Sequence, residues 1–163
     1  MKKFSLLKVL VSLLLFSSLS LNVLLWQKAN QNLPGEKVLG VIDGDTVVLE
    51  QNVKLRLRHL DAPELQFCGG EEAKKILEGL ILGKKVTIKE QIIDNYGRPM
   101  ALIYADKTLI NLEMLKSGWA RYHSDKTTKT EALKAAADLA KNAKTGIFSS
   151  KCLQLKNPDN PQC

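Results

Sequence analysis

The chain has 163 residues and a formal net charge of +7; 45% of its residues are hydrophobic and 25% charged, which fits a globular protein and excludes a disordered tail, a collagen-like repeat and a disulfide-dense miniprotein. The charge is segregated. Residues 1–33 hold four lysines and no acid, residues 34–109 are nearly neutral, and residues 110–163 carry the remaining excess, so a carboxylate-rich middle points to a cation site at least as much as to an anion site.

Residues 9–26 carry no charge. At helical rise such a run spans about 27 Å, close to the hydrocarbon thickness of a bilayer. Lys2, Lys3 and Lys8 precede it, so the positive-inside rule leaves the N-terminus in the cytoplasm and exports the rest. Residues 1–27 read as an uncleaved signal anchor or as a cleaved signal peptide. The anchor is favoured, because the run exceeds a usual h-region and its end, Asn22 to Gln27, offers no small-x-small cleavage site. Trp26 would suit the membrane interface. An exported chain keeps disulfides, and Cys68, Cys152 and Cys163 allow one intramolecular bridge at most. Cys152 and Cys163 bracket a short loop with two prolines and are the first expectation, with Cys68–Cys152 second. The absence of a Cys-x-x-Cys or Cys/His cluster argues against structural zinc.

Residues 28–36 are polar, contain Pro-Gly and read as a linker. The domain is expected over 37–150. Alternating and β-branched runs predict strands near 38–43, 45–50 and 53–60, broken at Asp43-Gly44-Asp45 and Gln51-Asn52. Ala73, Ile76, Leu77, Leu80 and Ile81 recur at helical spacing, predicting a helix over 71–82 that stops at Gly83. A fourth strand follows at 84–92, a turn at 94–98 and a fifth strand at 99–105. Helices are expected at 109–117, closed by Gly118, and at 129–144, Ala-rich and basic, closed by Gly146. Residues 151–163 form a cysteine-bracketed tail. The order predicts an α+β fold: a five-stranded OB-type β-barrel with about three helices, preceded by an N-terminal hydrophobic helix. Strands that do not alternate with helices argue against a doubly wound sheet.

Three places hold polar groups that packing alone does not ask for. Asp43-Gly44-Asp45-Thr46 is a good hairpin turn, and its two carboxylates can also hold a hard cation, though without EF-hand spacing. In Arg56 to Glu64, Arg56 and Arg58 share a strand face that is either solvated or aimed at an anion, and Asp61 and Glu64 follow at the strand end around Pro63. His59 reads as a surface or core-edge residue and not as a ligand. Tyr96-Gly97-Arg98 is a turn with an exposed arginine. Together these are the parts of a metal-assisted phosphodiester hydrolase. Carboxylates bind an ion that polarises a phosphoryl oxygen, another carboxylate takes a proton from water, and two guanidiniums grip the phosphate.

Ile42-Asp43-Gly44-Asp45-Thr46, then Arg56 with Asp61-Ala62-Pro63-Glu64, then Tyr96-Gly97-Arg98, in this order and spacing, resemble the thermonuclease (staphylococcal nuclease) family over about residues 37–150. The resemblance implies an OB barrel with three helices and Ca²⁺-dependent hydrolysis of DNA and RNA that leaves 3′-phosphate and 5′-hydroxyl ends. It implies Asp45, Asp61 and the Ala62 carbonyl as Ca²⁺ ligands, with Asp43 holding water behind them. Glu64 would be the general base, Arg56 and Arg98 would clamp the scissile phosphate, and Tyr96 would hold a terminal phosphate. Ala62 and Asn95 stand where the family's best-known member has Thr and Lys. The loop from Glu64 to the first helix is shorter, and the family's stacking aromatics have no clear counterpart, Tyr122 and His123 being nearby but unassigned. The expected partners are a nucleic-acid substrate and a membrane through the N-terminal helix, with the chain a monomer. The alternative is a tethered OB-fold module that binds nucleic acid or protein without cleaving it, disfavoured because Asp45, Arg56, Asp61, Glu64 and Arg98 are all present.

Overall fold

A computed structural model describes residues 35–154, together with residue 22. The N-terminal apolar run, apart from residue 22, and the tail from 155, including Cys163, lie outside the described residues. Residues 35–154 fall within one compact unit.

Short alternating segments make the strands. β1 (Glu36–Val41) and β2 (Thr46–Leu49) form an antiparallel hairpin, and a 3₁₀ turn at Glu50–Asn52 leads into β3 (Lys54–Leu57), antiparallel to β2. β5 (Lys85–Ile93) pairs antiparallel with β1 and with β6 (Pro99–Ala105). β6 then runs parallel to β3, with Arg56 beside Met100 and Leu57 beside Ala101, and the circuit β1-β2-β3-β6-β5 closes into a five-stranded barrel of OB type. Residues pointing inward at every second position fill it: Val47 and Leu49 from β2, Leu55 and Leu57 from β3, Ala101 and Ile103 from β6.

The helices bury one stripe each. In α1 (Gly70–Ile81) Ala73, Leu77 and Ile81 fall on one face, at the spacing that identified the helix in sequence. β7 (Thr108–Leu109) leads into α2 (Ile110–Ser117), which buries Ile110, Asn111, Met114 and Leu115. α3 (Thr130–Asn142) packs Leu133, Ala136, Ala137 and Ala140 inward and leaves Lys134 and Lys141 exposed. A 3₁₀ turn at Gly146–Phe148 and the short α4 (Ser150–Gln154) follow. No helix of the described residues is long and apolar enough to cross a membrane.

Four expectations are corrected. The third strand stops at Leu57 and does not reach residue 60, because His59 adopts a left-handed backbone (φ 63°) and turns the chain into a two-residue strand, β4 (Leu60–Asp61), that pairs with β8 (Arg121–Tyr122). His59 is therefore not on the surface but fully buried, its ring stacked on Tyr122 and its Nε2 2.8 Å from the Thr127 hydroxyl. The last long helix ends at Asn142; Lys144 already has a positive φ, so Gly146 is not its terminator. The disulfide joins Cys68 to Cys152 and not Cys152 to Cys163, because the chain after α3 folds back and brings Cys152 to a Cα–Cα distance of 5.6 Å from the turn before α1.

Candidate active site

Each element of the site is placed by a local rule. The β1–β2 turn is tied by Asp43, whose Oδ1 accepts the Asp45 N–H at 3.0 Å. Gly44 lies so close to Ala62 and Ala73 that a Cβ there would overlap both side chains, so the turn seats directly on α1. Asp45 thereby becomes 1% exposed. Its Oδ1 accepts from the Thr46 hydroxyl at 2.9 Å and from Arg56 Nη1, and its Oδ2 accepts the Ala62 N–H at 2.9 Å. Arg56 Nη2 donates to Asp61 Oδ1 at 3.0 Å, so one guanidinium bridges the two carboxylates. Burial pushes the Asp45 carboxyl up to about 7, and nearby Asp43 adds to this. The Arg56 charge and the Ala62 and Thr46 hydrogen bonds oppose the rise without cancelling it.

The β5–β6 turn supplies the other guanidinium. Asp94 Oδ1 accepts the N–H groups of Tyr96 and Arg98, both at 2.8 Å, and its Oδ2 accepts Arg98 Nε at 2.8 Å. Against a desolvation that would raise it, these hydrogen bonds and the Arg98 charge hold the Asp94 carboxyl below the usual carboxylate range. The Arg98 guanidinium lies 5.2 Å from the centre of the Tyr96 ring, and Tyr96 is 84% exposed.

A cavity of about 250 Å³ gathers Arg56, Asp61, Tyr96, Arg98, Met100 and His123 on its walls. Asp45 lies behind Arg56, Asp43 is tied to the Asp45 amide, and Ala62 joins Asp45 through its own N–H. Glu64 is exposed in the turn leading to α1 and is not part of the cavity lining. A larger cavity, about 400 Å³, lies along α2 and α3; its walls are mostly Ala and Leu, and it contains none of these groups.

Arg58 does not join Arg56. It is buried, with Nε 2.5 Å and Nη2 2.7 Å from the two Asp125 oxygens, and it also donates to the carbonyls of Glu90 and Lys126. Its side chain ties the β3 end to the segment before α3, a structural clamp and not an anion site. Asp94 and His123 are cavity residues that local reading did not assign. His123 enters through the β4–β8 pairing, which no sequence periodicity signals.

The donor set suits a hard divalent cation. Asp45 and Asp61 share the Arg56 guanidinium, and Ala62 reaches Asp45 through its N–H, so the oxygens that could hold such an ion are those of the two carboxylates and of the adjoining backbone. Among the described residues no three Asp, Glu, His or Cys side chains cluster tightly enough to hold a metal unaided, so carbonyl and water oxygens would complete the shell.

A closed OB-type barrel with an acid–guanidinium cluster beside one cavity defines the class of domain. The family model described as Staphylococcal nuclease homologue matches residues 54–150, and the chain belongs to that family. It is 38% identical over 88 residues to an "Uncharacterized endonuclease" of Haemophilus influenzae, covering 52% of this chain and 49% of that protein. It is 32% identical over 127 residues to "Probable staphylococcal-like nuclease CAN3" of rice, covering 78% of this chain and 32% of that protein. With the "Micrococcal nuclease" of Shigella flexneri it shares 29% identity over 127 residues, covering 69% of this chain and 72% of that protein. The aligned region thus spans half or less of the Haemophilus and rice relatives.

Proposed function

We propose that this chain is a Ca²⁺-dependent nuclease that hydrolyses phosphodiester bonds of DNA and RNA and leaves 3′-phosphate and 5′-hydroxyl ends. The observation that carries the reading is the single guanidinium of Arg56 bridging Asp45 and Asp61 on a cavity whose other wall holds Arg98. The names of the relatives support the same class of activity.

Asp45, Asp61 and the Ala62 carbonyl would hold Ca²⁺, which when bound polarises a phosphoryl oxygen. Asp43 keeps the β1–β2 turn in shape behind it. Arg56 and Arg98 donate to the non-bridging oxygens of the scissile phosphate and stabilise the charge that grows there; both exchange part of an intramolecular carboxylate pairing for the phosphate. The Glu64 carboxylate accepts a proton from the attacking water. Tyr96, almost fully exposed beside Arg98, contacts a neighbouring phosphate. Recognition through phosphates gives little sequence preference.

Export places the domain outside the cytoplasm, anchored by residues 9–26 or released by cleavage, and a Cys68–Cys152 bridge accords with an oxidising compartment. The chain acts as a monomer. The test incubates the full chain with plasmid DNA and with single-stranded RNA, in Ca²⁺ or in EGTA, and maps the product ends by labelling. Cleavage in Ca²⁺ alone with 5′-hydroxyl ends is the expected result. Undiminished cleavage in EGTA overturns the metal assignment, and binding without cleavage leaves a tethered binding module.

A further inference from the structure

The segment from Ala62 to Gly69 belongs to no helix or strand, yet it carries Glu64. Its front end is held by the Ala62 N–H on Asp45. Its back end is a tight turn in which the Phe67 N–H donates to the Glu64 carbonyl at 2.9 Å and the Gly70 N–H to the Phe67 carbonyl at 3.0 Å. Gly69 has φ +92°, and a Cβ there would lie 2.8 Å from Ile147 and 2.9 Å from Trp119. Between Phe67 and Gly69 sits Cys68, crosslinked across 84 residues to the buried Cys152 of α4. Ile147, which presses on Gly69, is itself fixed by its N–H on the Gly118 carbonyl at 2.9 Å. The C-terminal segment is therefore a strap, buckled by a disulfide onto the turn that begins at Glu64. Neither cysteine belongs to the main apolar cluster of the barrel, which holds together through other residues.

We propose that the Cys68–Cys152 disulfide is a positioning crosslink for Glu64 and makes turnover depend on the thiol redox state. The inference rests on the nuclease reading, in which the Glu64 carboxylate faces water and phosphate. Reduction proceeds by thiol–disulfide exchange. A thiolate of a dithiol attacks one sulfur, the S–S bond breaks, and the reductant closes to its own disulfide. Two electrons and two protons pass to Cys68 and Cys152, which become thiols. The covalent tie to the strap is then lost, and the Glu64 turn is left with its internal hydrogen bonds, the Ala62 N–H on Asp45 and the packing at Gly69 and Gly70. An ångström-scale loosening of a positioned carboxylate lowers kcat by about ten- to a hundredfold, while phosphate binding, carried by Arg56 and Arg98 on other elements, stays nearly constant.

The experiment uses the full chain carrying Cys163→Ser, so that one bridge alone is in play. Steady-state kinetics on a single-stranded oligonucleotide in Ca²⁺ are measured oxidised and after dithiothreitol, with thiol titration to establish complete reduction and circular dichroism to establish the fold. A fall in kcat of at least fivefold with KM within twofold, reversed on reoxidation, is the expected result. In a Glu64→Gln background reduction should change kcat less than twofold, because the crosslink acts through that side chain. Gly69→Ala, which disturbs the same contact with the disulfide intact, should reproduce the loss. The proposal is overturned by unchanged kcat at full reduction, by an undiminished reduction effect in Glu64→Gln, or by global unfolding on reduction together with normal kcat in folded Gly69→Ala. Hydrogen exchange at the Phe67 and Gly70 amides separates it from the nuclease reading. If the oxidised chain cleaves nothing, that reading fails, while loss of protection at those two amides on reduction still supports the positioning role and unchanged protection overturns it.

Discussion

Asp45→Asn keeps the shape of a buried side chain and removes its charge. The wild-type carboxyl ionises near 3.8 in an unstructured chain and at about 7 in the fold, chiefly because burial penalises the anion. Between those values the folded chain holds a proton that the unfolded chain has lost, so stability falls as pH rises from about 4 to about 7. At 1.36 kcal/mol per pH unit the ionised group costs the metal-free fold about 4 kcal/mol above pH 7. The amide avoids that cost but turns a donating NH2 toward either the Ala62 N–H or the Arg56 guanidinium, and the lost hydrogen bond costs about 1–2 kcal/mol. The expected net gain for Asp45→Asn at pH 8 is therefore about 2–3 kcal/mol, shrinking to zero or a small loss at pH 5. His59 works in the opposite sense. Burial lowers its folded pKa, so the unfolded chain protonates first and stability drops as pH falls through 6.5. It is present in both proteins and cancels in their difference. Urea unfolding in EGTA at pH 5 and pH 8 reads the effect. A variant no more stable than wild type at pH 8, or a difference that does not change with pH, refutes the reasoning. Ca²⁺ should stabilise wild type and leave the variant unmoved.

Arg58, just past the end of β3, and Arg98 should part ways in the same measurements. Arg58→Met strands Asp125 and two carbonyls and is expected to destabilise by about 3–5 kcal/mol, read from the denaturation midpoint. Arg98 is 54% exposed, so Arg98→Ala should cost under about 1 kcal/mol of stability yet lower kcat about a hundred- to a thousandfold. Gly44→Ala pushes the β1–β2 turn off Ala62 and Ala73, and should destabilise by about 1–3 kcal/mol and weaken Ca²⁺ binding in calorimetry.

What could be read from the sequence was local. Alternation in Thr46–Leu49 and Pro99–Ala105, the 3.6-residue recurrence in Gly70–Ile81 and the Asp-Gly and Tyr-Gly turns each act within a few residues, and the elements stand where those patterns lie. What depended on distant partners was hidden. Arg58 turns inward because Asp125 waits 67 residues on, and Cys68 bonds Cys152 because the chain returns there. The β4–β8 pair is too short to show a period, so His123 reached the cavity unannounced. The motifs at 43–46, 56–64 and 96–98 were visible as separate turns. That Arg56, Asp61, Tyr96 and Arg98 share a cavity was legible only through resemblance to a family, since no spacing rule joins one hairpin to another.

The parallel seam between β3 and β6 has a consequence for how the molecule comes into being. Asn111 sews that seam, its amide donating to the Arg58 and Ala101 carbonyls at 2.9 and 3.1 Å while its oxygen takes the Ile103 N–H at 2.9 Å. Arg56 stands on the same seam, opposite Met100. Hairpins zip early, and contacts between remote stretches of chain form late. A half-threaded polypeptide can thus own Asp45, Arg56 and Asp61, which are close in sequence, before Arg98 joins them. The wall that carries Arg98 meets that cluster with the final stitch of the barrel.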